Sequence, residues 1–105
     1  MAWFILIIAG IFEIAWAIGL KYSEGLSKFW PSVFTLVCLV ISMGMLAYAV
    51  RSLPVGTAYA VWTGIGAVGT VILGMVLFNE PKDLARVFFI GLILMGIVGL
   101  KFFTK

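Results

Sequence analysis

The chain has 105 residues, 65% of them hydrophobic and only 10% charged, which lies outside the range of soluble domains and defines an integral membrane protein. About 20 apolar residues rising about 1.5 Å each cross a hydrocarbon core of about 30 Å, so this length holds four spans with no soluble domain left over. The net charge of +3 sits at the expected helix ends, where basic residues meet lipid headgroups, and gives no ground for a nucleic-acid partner.

The charges mark where each span stops. A first helix is expected over about 2–20, and Lys21, Glu24 and Lys28 separate it from a second over about 31–50. Arg51 to Pro54 forms the next turn, a third helix covers about 56–78, and Asn79, Glu80, Pro81, Lys82 and Asp83 divide it from a fourth over about 84–103. Every connection is short, so neighbouring helices pack antiparallel within one four-helix transmembrane domain over 1–105. Pro31, Pro54 and Pro81 all fall at or just before helix starts, where a missing N–H costs nothing because that donor lacks an intrahelical partner anyway. The first segment reads as a permanent span rather than a cleaved signal, because it lacks a basic leader, is long for an apolar signal core and contains an acid. Cys38 is alone and mid-membrane, a small core residue, and with no histidine in the chain there is no basis for a zinc or haem site.

That acid is Glu13, the only Asp, Glu, Lys or Arg between Ala2 and Leu20. At eleven residues beyond Ala2 it lies roughly 17 Å into a core of about 30 Å, near the midplane, where a carboxylate is costly and calls for a function. Its neighbours at three and four residues are Ala9, Gly10, Trp16 and Ala17, so three small residues leave space and one indole borders it, as in a pocket wall. The alternative is a protonated carboxyl bonded to a neighbouring backbone as helix glue. The third helix offers a matching face of Tyr59, Trp62, Thr63 and Gly66, and a cation wants both a carboxylate and aromatic faces. Trp3 and Trp30 sit at helix ends and read as interfacial anchors. Ser42 is the polar residue of the second helix nearest the middle; its hydroxyl is placed to donate to the carboxylate, with a bond to its own helix backbone as the alternative. Gly64, Gly66 and Gly69 suit either a hinge or close packing, and Gly91, Gly96 and Gly99 give the fourth helix a thin face for association.

Four spans put both termini on one side, with Arg51, Lys101 and Lys105 there and Lys21, Lys28, Lys82 and Arg86 on the other. This near balance, completed by the terminal amine, removes the usual orienting bias and predicts insertion in both directions with pairing as an antiparallel dimer. Four helices are also too few to wall a solute chamber, whereas eight suffice and bring two copies of Glu13 together, the geometry that inverted repeats build within one chain.

The runs Gly10-Ile11-Phe12-Glu13-Ile14-Ala15-Trp16-Ala17-Ile18-Gly19-Leu20-Lys21 and Leu53-Pro54-Val55-Gly56-Thr57-Ala58-Tyr59-Ala60-Val61-Trp62-Thr63-Gly64 resemble the small multidrug resistance family, and the likeness covers essentially the whole chain. Trp16, Ser42 and Lys101 resemble its guanidinium-exporter subtype, since the drug exporters usually carry smaller residues where Trp16 stands. The resemblance implies an antiparallel homodimer in the bacterial inner membrane that exchanges protons for guanidinium and small substituted guanidines by alternating access, with no cofactor or nucleotide. It implies Glu13 as the shared proton and cation site, Trp16 and Ser42 as its hydrogen-bond partners, Tyr59 and Trp62 as pocket walls, and Gly10, Thr63 and Lys101 in support. The fourth helix, with Gly91, Gly96 and Gly99, is the implied dimer contact. A rotor subunit that carries protons also has one membrane acid, but such chains are usually two-helix hairpins without aromatics about it. A quaternary-ammonium exporter of the same fold is the nearest rival, opposed by the bulk of Trp16. A membrane scaffold leaves the midplane acid unexplained, and no pattern of nucleophile and base, phosphate loop or metal ligands points to an enzyme.

Overall fold

The computed structural model describes residues 2–80 and 82–103; Pro81, expected at the fourth helix start, and Lys105 of the charge balance lie outside the described residues. Four helices follow in order: α1 Ala2–Tyr22, α2 Phe29–Ala49, α3 Val55–Leu77 and α4 Leu84–Phe103. All four are long and apolar enough to cross a membrane. The sequence boundaries hold to within two residues, and each shift has a local cause. α1 runs on to Tyr22 because buried Ser23 closes it: its hydroxyl donates to the Leu20 carbonyl (2.8 Å) and accepts the Leu26 N–H (2.9 Å). The chain then turns through Glu24, Gly25 and Leu26, all with positive φ. α2 begins at Phe29, two residues before Pro31, a first-turn position that requires no N–H. Pro54 takes the N-cap position of α3. Asp83 caps α4 by accepting the Arg86 N–H (2.9 Å), while the Arg86 guanidinium reaches back to Glu80 (3.1 Å).

α1 is the middle of the bundle. It packs along both α2 and α3, which barely meet each other, and the backbone of α4 approaches α3 alone. The α1–α3 seam is parallel and dense because glycines face bulk in step. A Cβ on Gly10 would lie 2.6 Å from Ile65 Cγ2, one on Gly66 would overlap the Glu13 carboxyl, and one on Gly69 would overlap Ile14. The buried core of Leu6, Ala9, Ala49, Leu53, Ala58, Val61 and Trp62 lies toward the end of the bundle that carries the start of α1. No residue of α4 is buried, and a Cβ at Gly91, Gly96 or Gly99 would meet nothing.

The seam yields a packing prediction. Gly10→Ala is expected to destabilise the fold by about 1–3 kcal/mol through overpacking against Ile65. Gly44→Ala, where a Cβ meets open space, should gain up to about 1 kcal/mol of helix propensity. Unfolding of both variants in detergent checks this, and equal effects would refute the assignment of the seam.

Candidate binding site at the centre of the bundle

Glu13 stands where the sequence places it, mid-way along α1, and it is the only acid within any of the four helices. Its carboxyl lies against the backbone of Gly66 on α3, the one place on that face where no side chain intervenes. Oε1 is buried and has no hydrogen-bond partner among the described residues. The same holds for Nε1 of Trp16, one turn further along α1. A buried acceptor and a buried donor, both unsatisfied and on one helix face, mark a place built for a ligand, since each orphan is a standing cost to the fold.

Ser42 and Trp62 are engaged elsewhere. The Ser42 hydroxyl donates to the Ala9 carbonyl (2.7 Å), and Trp62 Nε1–H donates to Ser42 Oγ (2.9 Å). Neither side chain hydrogen-bonds Glu13, so the expected Ser42 donation to the carboxylate is replaced by a relay tying α3 to α2 to α1. The reason is depth: Ser42 and Ala9 have no exposed surface, so the hydroxyl takes the backbone acceptor that the close α1–α2 approach provides. Ser42 also does not bond its own helix, the other course open to it from sequence.

The α3 face divides in two. Trp62 and Gly66, one turn apart, point inward, whereas Tyr59 and Thr63 form the neighbouring exposed stripe. Tyr59 is 57% exposed, and its ring leans on Trp62 with centroids 5.7 Å apart. The space expected beside Glu13 at Gly10 is filled by Ile65, a correction to the reading of that glycine as pocket wall. Gly64 is likewise filled, with Ile97 of α4 2.9 Å from a Cβ, so close packing is the role that Gly64 and Gly66 display, and α3 runs through both without a break. Lys101 stacks its ammonium over the Trp3 ring (5.0 Å). That contact lies ten residues, about 15 Å of helix, from Glu13 and outside its surroundings.

Beginning one turn beyond Glu13, at Ala17 and Thr70, a cavity of about 340 Å³ runs between α1 and α3 to Lys21, Gly74, Glu80 and Arg86 at the bundle's end. It places polar groups between the buried acid and the membrane surface. The sequence does not single out Ala9, Thr70 or Glu80. Ala9 contributes only a carbonyl, for which no residue type is a signal.

Four membrane helices around a single buried, unpartnered carboxylate define a small membrane carrier rather than a channel or a soluble enzyme. Family comparison narrows this class: the description Small Multidrug Resistance protein matches residues 1–93, and the chain belongs to that family. It is 64% identical over 101 residues to a protein of Yersinia pseudotuberculosis serotype I (strain IP32953) named guanidinium exporter, covering 96% of this chain and 97% of that one. Proteins with the same name from Escherichia coli (strain K12) and Proteus vulgaris are 55% and 52% identical, over 99% and 96% of this chain and 99% and 97% of their own lengths.

Proposed function

We propose that this protein exports guanidinium, and small substituted guanidines, across a bacterial inner membrane in exchange for protons, with Glu13 as the site that both ligands share. The observation that carries the reading is the pair of unsatisfied buried groups, Glu13 Oε1 and Trp16 Nε1. Guanidinium is planar, presents its donors as a fork that matches a carboxylate, and is more weakly hydrated than an ammonium, so it completes the orphaned acceptor at low desolvation cost. The names of the relatives agree with this ligand.

The functional unit is an antiparallel homodimer. α4 buries nothing within one chain and presents Gly91, Gly96 and Gly99 bare, which suits a helix contact with a second copy. The near balance of basic residues between the two ends allows both insertions. In such a pair Tyr59 and Thr63, exposed in one chain, line the space between copies together with Trp62, and the chamber opens to either side as the two subunits exchange shapes. No nucleotide or cofactor is needed: proton and cation compete for one acceptor, and slow reorientation of the empty, charged site lets inward proton flow drive the cation out. The two acids of a dimer titrate as a pair.

Calorimetry of the purified protein with guanidinium and with tetraethylammonium, across several pH values and in buffers of different ionisation enthalpy, tests this. If one proton leaves for each cation bound, guanidinium affinity falls with acidity, approaching about tenfold per pH unit once the acid is mostly protonated. Binding should release protons, and tetraethylammonium should bind far more weakly. An affinity indifferent to pH removes the shared site.

A further inference from the structure

We propose that Ser42 and Trp62 are positioning residues that lock the α1 turn carrying Glu13, and that Ser42 acts through the Ala9 carbonyl rather than by touching the carboxylate or its cation. The proposal rests on the reading of Glu13 as the cation site and assigns its second layer.

A serine hydroxyl has one proton, and here it is given to the Ala9 carbonyl while the oxygen takes the Trp62 indole N–H. Nothing is left to donate to Glu13. Ala9 lies four residues before Glu13, so in an α-helix its carbonyl is the acceptor for the Glu13 backbone N–H, and its second lone pair is free for Ser42. Trp62 in turn lies four residues before Gly66, against which the Glu13 carboxyl rests. The parallel helices α1 and α3 therefore carry a two-rung ladder one turn long. The first rung is Trp62 to Ser42 to Ala9, and the second is Gly66 to Glu13. Because each helical residue turns the axis by about 100°, pinning Ala9 fixes the direction in which Glu13 points. The first rung is dry: Ala9 and Ser42 have no exposed surface and Trp62 has 6%. No water competes for its bonds, and its members polarise one another. The two indoles near the acid thus divide the work, with Trp62 committed to the scaffold and Trp16, whose Nε1 has no partner among the described residues, left for the ligand.

The test uses the full-length protein, 15N-labelled in bicelles, with the four tryptophan indoles assigned by single Trp→Phe changes. Ser42→Ala deletes the hydroxyl, and Ser42→Cys keeps nearly its volume with only a weak donor, so that loss of bonding is separated from loss of packing. Without ligand, both variants are expected to move the Trp62 indole and the Glu13 amide resonances together, and Trp62→Phe to move the Glu13 amide while leaving the Trp16 indole in place. Guanidinium affinity should fall about three- to tenfold in each single variant. The double variant Ser42→Ala with Trp62→Phe should fall no further than the weaker single one, because the relay acts as a unit. A Glu13 amide unmoved by Ser42→Ala overturns the proposal, as does Ser42→Cys binding like the parent or losses that simply add. If the parent chain itself fails to bind guanidinium, the reading of Glu13 falls, while the ligand-free resonances still decide whether the clamp exists.

Discussion

Glu13→Gln is expected to abolish guanidinium binding together with the proton release that accompanies it. Glutamine keeps the size of the side chain and can still lie against Gly66, so the α1–α3 seam is preserved. The formal charge disappears and one acceptor oxygen becomes a donor that faces the donors of the cation. Removing one partner from a buried charge pair costs about 3–5 kcal/mol, which corresponds to a loss of more than about a hundredfold in affinity. Because the same group is proposed to hold the proton, calorimetric proton release and proton-driven guanidinium uptake into vesicles should vanish together. Proton-coupled uptake surviving in the variant would place the shared site elsewhere. The chain leaves few places for it, since the other acids, Glu24, Glu80 and Asp83, all lie outside the helices. Glu24, fully exposed beside Lys28 at 2.6 Å, has its carboxyl held below the ordinary range by the hydrogen bond and charge of that lysine, which leaves it ionised and unsuited to carrying a proton near neutrality.

The four helices are legible in the sequence because two independent signals agree at each boundary: an apolar run stops, and a charge or a proline stands there. What moves an end by a residue or two is capping chemistry such as Ser23 on the Leu20 carbonyl, which depends on a turn conformation that composition does not reveal. Glu13 is legible for the opposite reason, as a violation of its surroundings. Its immediate environment is less so. A helical wheel shows that Gly10 is small but not that Ile65 of another helix fills the gap, and it groups Tyr59 and Thr63 with Trp62 although the α1 contact turns only Trp62 and Gly66 inward. Ser42 is the sharpest instance. A hydroxyl with one proton and many backbone acceptors in reach has its partner chosen by the register between helices, and here that register delivers the Ala9 carbonyl. The relatives' shared name bears on the ligand, while the position of each group around it is read from the packing.

Trp16→Gly is expected to widen the site toward bulkier quaternary ammonium cations at the expense of guanidinium. The indole stands one turn beyond Glu13 with its N–H buried and unpartnered, so it supplies both bulk and a directed donor to whatever the carboxylate holds. A tetraalkylammonium has no N–H to complete the acid's acceptor and needs room for four alkyl arms, so a large ring at this position excludes it. Guanidinium needs less room and gains from an aromatic face, a contact worth about 0.5–2 kcal/mol, or about two- to thirtyfold in affinity. Removing the ring should therefore weaken guanidinium binding within that range and raise tetraethylammonium binding into a measurable range. Glycine within a helix also costs about 1 kcal/mol relative to alanine, so Trp16→Ala serves as the companion that separates a loosened α1 from an enlarged pocket. Both variants should gain the bulky cation if size is what selects. A gain confined to glycine would assign the effect to helix flexibility, and an unchanged substrate profile in both would deny Trp16 any part in selection. Competition with protons should persist in either variant, because the indole shapes the space around the acid while the exchange itself stays with Glu13.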